Sequence, residues 1–434
     1  MSHSAPPSVV SPAPSASSAA TNARNWFGQP PGLTVLFLTE TWERFSFYGM
    51  SALLIYYMTK QLQFTQADAS LIYGLYSGGV FLTPILGGFI ADRWLGKRRA
   101  ILIGGTLMAL GHFALAWESQ FYTGLGLICL GNGLFLPNLP SQIGDLYGED
   151  DPRRGGAYNV YYVGVNLGGL LAPLVCGTLG EVYGWHYGFG AAGIGMCLGL
   201  AVYVLGQKHL PSGRPTKQAA NPVKSSQPLT ASAFVPLLLV GVAVMLFRSA
   251  YAQSGNTVAI WADQSVDLQV LGFQLPATWV QSLNPLCVFM FTPFLIGYWR
   301  RSAQRGRDPA PLTKMALGAA GVGLAYLLLA GVALGGAKVP GAWLVLFFVL
   351  YTLAELYILP VGLGLFARMA PRGMGATVIA AWFLAAFAGN LLSGVVGRLW
   401  EPLGPPGFFA LLAGIAGLAA LGLWLVRPLL RPAA

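Results

Sequence analysis

From Gly32 onward the chain is an almost unbroken succession of apolar stretches, each close to the roughly 20 residues a helix needs to cross a bilayer core. Twelve can be counted, at about 33 to 59, 68 to 92, 98 to 118, 121 to 147, 155 to 181, 185 to 206, 232 to 262, 275 to 300, 311 to 335, 341 to 368, 374 to 399 and 405 to 426. Hydrocarbon offers no partner to an unpaired backbone amide, so the pattern predicts an all-α membrane protein with twelve transmembrane helices. Composition agrees: 55% hydrophobic and 9% charged residues exclude a soluble cytoplasmic enzyme. The net charge of +10 would fit a nucleic-acid partner only with polar surface to spare, and a mean hydropathy of +0.60 leaves none. The expected bulk partner is the lipid bilayer, and no nucleic acid is expected. Cys129, Cys176, Cys197 and Cys287 lie in apolar runs without CxxC spacing, so neither a disulfide framework nor a zinc site is predicted, and no metal or cofactor is expected.

The Ser-, Ala- and Pro-rich start has no basic opening and no apolar core of a signal peptide, and reads as a disordered tail over 1–32. A six-helix bundle over 33–206, a polar linker over 207–231, a second six-helix bundle over 232–426 and a short tail over 427–434 complete the expected organisation. Of 25 Lys and Arg residues, twenty fall on the tail's side of the spans, among them Arg93, Lys97, Arg98, Arg99, Arg153 and Arg154. Only Lys60, Lys338 and Arg398 fall on the other side, and Arg44 and Arg248 lie within spans. Cytoplasmic loops retain positive charge, so both termini are expected in the cytoplasm and the chain in a cell inner membrane, passing it many times. The basic run at Lys97 is then a loop; no Ser or Thr follows Lys97, so it is not a P-loop. Gly193-Ile194-Gly195 follows no strand and is no dinucleotide motif, and His112, His186 and His209 are too scattered for a relay.

The two halves repeat. Thr83-Pro84-Ile85-Leu86 answers Thr292-Pro293-Phe294-Leu295, Leu136-Pro137 answers Leu359-Pro360, and Asn166-Leu167 answers Asn390-Leu391. Six plus six helices in parallel halves resembles the plan of the major facilitator superfamily, in which substrate binds between the halves near the bilayer midplane.

Charges inside a span cost several kcal/mol and mark pathways. Helix 1 holds Glu40, Glu43 and Arg44, helix 7 holds Arg248 and helix 10 holds Glu355. At about 100° per residue, Glu43 and Arg44 fall within about 60° of Glu40, together with Phe47 and Ser51, and Tyr48 falls about 80° away on the same side. One face of helix 1 is therefore polar. The three charges could simply neutralise one another as a lock, but that is more charge than a lock requires. Arg248 and Glu355 lie near mid-depth, and Pro360 after Glu355 predicts a kink with freed carbonyls.

At these positions the chain resembles the proton-dependent oligopeptide transporter family of the major facilitator superfamily. Helix 1 reads Glu40-Thr41-Trp42-Glu43-Arg44-Phe45-Ser46-Phe47-Tyr48-Gly49, similar to the family's ExxERF-x-YYG signature. Further matches are Gly87 to Arg93, Tyr161-Tyr162 through Asn166, Gln281 to Pro285, Glu355 to Pro360, and Trp382-Phe383 with Gly389-Asn390. The resemblance implies a symporter importing di- and tripeptides with protons by alternating access. It also implies proton coupling through Glu40, Glu43, Arg44 and Glu355, with Glu355 meeting the peptide's amino end.

The chain departs from the family at telling places. Helix 1 has Ser51 for the usual arginine and helix 7 has Ala252 for the usual glutamate, a joint loss of described partners; helix 4 has Leu136 for the usual lysine. Two tyrosines of the family site appear as Phe47 and Phe81, and the 207–231 linker leaves no room for the two extra helices of many bacterial relatives. A peptide zwitterion needs a cation for its carboxylate and an anion for its amino group. Glu355 supplies the anion, and the cation must be Arg44, Arg248 or both. A carboxylate beside an arginine stays ionised until the arginine is drawn away, after which desolvation favours the neutral form; Glu43 beside Arg44 suits such a switch.

The expected substrate site thus comprises Arg44, Tyr48, Phe81, Tyr162, Asn166, Arg248, Asn284, Glu355, Trp382 and Asn390, with Asp92, Arg93, Pro137 and Pro360 in gating. No HExxH and no Ser/His pair appears, so an enzyme is not expected. The alternative is a proton-coupled transporter of another small solute, such as an anion or an amino-acid derivative. A monomer is expected.

Overall fold

The computed structural model describes residues 28–147, 151–211, 231–336, 338–369 and 375–430. Most of the predicted N-terminal tail, most of the linker and the last four residues lie outside them. Twelve rods run through the described residues: α1 Pro31–Tyr56, α2 Gln66–Ile90, α3 Lys97–Ala114, α4 Phe121–Phe135, α5 Arg153–Ala172, α6 Trp185–Gly206, α7 Ala231–Tyr251, α8 Leu283–Gln304, α9 Pro311–Ala333, α10 Gly341–Met369, α11 Gly375–Gly397 and α12 Trp400–Val426. With their helical extensions, nine are long and apolar enough to cross a membrane by length and composition alone. The other three have identifiable reasons for falling short. α1 carries Glu40, Glu43 and Arg44, α3 opens on Lys97, Arg98 and Arg99, and α4 stops after 15 residues.

That stop is chemical. Pro137 cannot donate to the preceding turn, so the expected single span of 121 to 147 is broken into α4 and a separate short helix, Asn138–Asp145. The expected span of 232 to 262 also bends: α7 tightens over Ala252–Gly255, turns at Asn256 (φ −111°, ψ −96°) and resumes as Thr257–Ser265. The remaining strands are two-residue pieces. Val266–Asp267 pairs in parallel with Val339–Pro340, tying the end of the α7 segment to the α9–α10 connection.

Within each half, small residues let helices close up. A Cβ on Gly168 would clash with the Thr41 carbonyl and meet Arg44 Cβ at 2.7 Å, which fixes α5 against the charged turn of α1. Between the halves, α2 meets α11 and α5 meets α8. These are the same contact by the repeat, since helix 2 answers helix 8 and helix 5 answers helix 11. The α2–α11 crossing is a glycine contact, in which a Cβ on Gly74 would meet Gly394 Cα at 2.5 Å. At its Lys60 end the crossing continues into a buried neutral network: Gln66 Nε2 donates to Ser70 Oγ (2.7 Å), Ser70 Oγ to Asn256 Oδ1 (2.9 Å), Asn256 Nδ2 to Gln253 Oε1 (3.1 Å) and Gln253 Nε2 to the Ser393 carbonyl (2.7 Å).

The α5–α8 crossing is closed differently. Glu181 accepts the backbone N–H groups of Ala277 (3.1 Å) and Thr278 (2.8 Å), satisfying free donors at the start of the turn that leads into α8. α1 is tied to the α7 segment by Tyr56 Oη donating to the Ala259 carbonyl (3.0 Å) and by a Lys60–Asp263 ion pair of 2.7 Å. At the opposite end, the ion pairs among the described residues stay within a half: Lys97–Asp145 at 2.7 Å, Arg153–Asp151 at 2.7 Å and Lys314–Asp308 at 2.8 Å. The bundle is bolted across its halves at the Lys60 end.

Candidate functional site

Two charged centres lie in the middle of the bundle. The first is made by one helix. Arg44 follows Glu40 by one turn, so its Nε reaches Glu40 Oε1 at 2.8 Å, and it also lies 2.9 Å from Glu43 Oε2. Glu40 is 1% exposed, Glu43 0% and Arg44 8%. The Arg44 guanidinium sits 5.7 Å from the Phe47 ring centroid, and the Tyr161 hydroxyl of α5 faces Glu40. One cation thus answers two carboxylates, and neither Glu43 oxygen accepts a hydrogen bond among the described residues.

The second centre is assembled from three helices of the other half plus α2. Asn284 of α8 donates through Nδ2 to Glu355 Oε2 at 2.6 Å and to Thr352 Oγ1 at 3.1 Å, and Tyr251 of α7 shares a side-chain hydrogen bond with Glu355. Arg248, one turn before Tyr251, lies within electrostatic reach of Glu355 but forms no ion pair among the described residues; its Nε is buried without a hydrogen-bond partner. Its guanidinium lies 5.0 Å from the Phe81 ring centroid and 5.7 Å from that of Tyr251. The Arg248 stem is held against α11 at Gly389, where a Cβ would clash with Arg248 Cβ. A guanidinium on two rings keeps its in-plane donors free for an acceptor.

Tyr48 stands between the centres. It is 38% exposed and interacts electrostatically with Arg44 on one side and Glu355 on the other. Gly169 makes room for it: a Cβ there would meet the Tyr48 ring at 3.2 Å and Pro285 Cγ, beside Asn284, at 3.4 Å. Tyr162 is 42% exposed and is electrostatically coupled to both Tyr48 and Glu355. The structure therefore brings together Glu40, Glu43, Arg44, Tyr48, Phe81, Tyr162, Arg248, Asn284 and Glu355.

Other predicted residues take different places. Asn166 and Asn390, matched by the repeat, each donate back to their own helix, Asn166 Nδ2 to the Tyr162 carbonyl (2.9 Å) and Asn390 Nδ2 to that of Ala386 (2.8 Å). Trp382 is buried against Phe366 at 5.2 Å and over Gly362, packing α11 on α10. It lies eight residues from Asn390, about 12 Å along the helix. Asp92 and Arg93 are both exposed, and Arg93 rests 5.8 Å from the Phe89 ring while the nearby ion pair is Lys97–Asp145. Pro137 ends the α4 rod, and Pro360 is exposed within α10. Sequence reasoning passed over Tyr161, Tyr251 and Thr352 as site residues. Tyr251 and Thr352 each stand three residues from a half-buried charge, a spacing that puts neighbours on one helix face.

Comparisons with known proteins agree with this geometry. The profile of the POT family matches residues 98–235 and 226–402. The chain is 32% identical over 453 residues to the peptide transporter YePEPT of Yersinia enterocolitica, covering 86% of this chain and 88% of that protein. It is 31% identical over 474 residues to a di-/tripeptide transporter of Lactococcus lactis, covering 91% and 94%. A crystal structure of a mutant peptide transporter POT in complex with alafosfalin superimposes with a TM-score of 0.86 at 32% identity, covering 94% of this chain and 97% of that one.

Proposed function

The chain belongs to the POT family, and from that premise we propose that it is a proton-coupled symporter importing di- and tripeptides by alternating access. It is a multi-pass membrane transporter and not an enzyme. The observation that carries the peptide reading is the second centre: a cation and an anion near mid-depth, close enough to interact yet forming no ion pair among the described residues, with Arg248 Nε unpartnered. A free peptide brings one carboxylate and one ammonium. The carboxylate goes to Arg248, which substitutes for the cation that Leu136 and Ser51 do not provide, and the ammonium to Glu355, held in place by Asn284. Tyr48, Tyr162 and Phe81 line the space between.

The first centre carries the proton. With both glutamates ionised, the set holds one uncompensated buried negative charge, which is costly. Glu43, whose oxygens accept no hydrogen bond, takes up the proton when Arg44 turns toward bound substrate through Tyr48. Glu355 meets the ammonium as a carboxylate, oriented by Asn284. The two bundles of 33–206 and 232–426 rock about this site, with Pro137 and Pro360 as hinges and Asp92 and Arg93 at the gate. The charge distribution supports an inner-membrane protein with both termini cytoplasmic; it acts as a monomer. The Lys60 end, bolted across the halves, then faces away from the cytoplasm, and the site opens inward.

Competition for uptake of a labelled dipeptide tests the substrate reading. Free di- and tripeptides should compete well, and peptides blocked at either end poorly. Equal competition by doubly blocked peptides would exclude a zwitterion held at both ends.

A further inference from the structure

Away from the peptide site, α9 and α10 part near the Lys60 end around a groove of about 530 Å³, a volume typical of small-molecule sites. Its wall on α9 is Leu327, Leu328 and Gly331, with Gly335 one turn on, and its wall on α10 is Trp343. Leu327 is 53% and Trp343 40% exposed, so the groove faces out of the bundle toward lipid. Gly331 and Gly335 create the space. A Cβ built on Gly331 would meet nothing within 4 Å, and one on Gly335 only the Val332 carbonyl at 3.5 Å.

At the mouth stands Lys338, exposed and in no ion pair among the described residues. Its backbone is held by the next residue, since Val339–Pro340 pairs with Val266–Asp267. The neighbouring Asp267 is engaged with the backbone N–H of Gln269 at 3.0 Å. Trp343, in the first turn of α10, has the amphipathic ring found where hydrocarbon meets headgroups.

An apolar slot open to hydrocarbon, ending at a lone cation at the headgroup level, matches an anionic amphiphile and not a water-soluble solute. We propose that this groove is a binding site for one anionic phospholipid, with an acyl chain lying along Gly331 and Gly335 and the phosphate paired with Lys338. A zwitterionic headgroup would bring its own cation toward Lys338 and bind less well.

The test uses the full-length protein in detergent, with phosphatidylglycerol and phosphatidylcholine as probes. Lipid retained per protein is read by native mass spectrometry, and thermal stabilisation by titration. Phosphatidylglycerol should be retained at one molecule per chain and stabilise at lower concentration than phosphatidylcholine. Lys338→Gln should raise the half-maximal phosphatidylglycerol concentration roughly tenfold, as for loss of one charge-assisted contact. Gly331→Leu, whose Cβ would meet nothing within 4 Å, places its side chain in the slot and should abolish retention while leaving dipeptide transport intact; Gly335→Leu repeats the test from the next turn if that variant does not fold. Soluble glycerophosphoglycerol should not compete. Unchanged retention in the leucine variants, or equal stabilisation by the two lipids, would overturn the site. Competition by the soluble headgroup would reduce it to an anion contact at Lys338.

Discussion

The two charged centres are built in opposite ways. The α1 centre is local and closed: Glu40, Glu43 and Arg44 lie within five consecutive residues, almost wholly buried, and answer one another at 2.8 and 2.9 Å. The other centre is distributed and open. Its anion and cation come from α10 and α7, its hydrogen bonds to Glu355 come from α8 and α7, and its cation rests on aromatic rings with Nε unpartnered. A closed set can change only by gaining or losing a proton or by releasing its arginine. An open set can take in a ligand without first breaking an ion pair. The difference is the basis of the proposed division, with proton carriage in the first centre and substrate recognition in the second.

Substitutions that break this division should differ in kind as well as size. Glu43→Gln should have the largest effect: a permanently neutral side chain ends coupling, so uphill uptake is abolished while peptide exchange across the bilayer continues. Counterflow beside gradient-driven uptake reads both, and normal accumulation by this variant would remove Glu43 from proton transfer. Glu355→Ala should weaken binding of free dipeptides tenfold or more and that of amino-blocked dipeptides little, because one charge-assisted bond of about 1.5–3 kcal/mol is lost. Equal losses for both ligands would mean that Glu355 acts through structure alone.

Arg248→Ala should raise the apparent KM for a dipeptide about tenfold, with little change for carboxyl-amidated peptide, by the same magnitude of bond. Adding Leu136→Lys should recover part of the loss. Unchanged dipeptide affinity in Arg248→Ala would return the carboxylate to Arg44. The smallest effect should come from the bolts. Lys60→Gln removes an exposed ion pair worth less than about 1 kcal/mol and should leave transport nearly unchanged. Gln253→Ala strips a partner from the buried network across α2, α7 and α11 and should bias the chain toward opening at the Lys60 end. Faster amide hydrogen exchange at the Lys60 end of α2 and α11 would register that shift.

Much of this was legible in the sequence because a bilayer makes local rules decisive. Hydrophobic length set the helices, and the rarity of charge inside them singled out Arg44, Arg248 and Glu355. Glu40 and Arg44 could be paired on paper because helical spacing alone puts them together. What depends on helix packing could not be read. That Phe81 of the first half meets Arg248 of the second, or that Gly169 seats Tyr48 against Pro285, follows from crossings set by glycines hundreds of residues apart in some cases. Asn166, Asn390 and Trp382 show the converse. Their residue types suited recognition, but the two amides are engaged with their own helices and the indole fills a helix crossing.

The central claim is that one chain ties peptide movement to protons through two unlike centres. Its most direct test is uptake of a labelled dipeptide by proteoliposomes under an imposed pH gradient, acidic outside, for the unaltered protein and for Glu43→Gln. The account predicts accumulation above equilibrium that collapses with a protonophore in the first, and equilibration without accumulation in the second. Accumulation that survives the protonophore, or that Glu43→Gln leaves intact, would contradict it.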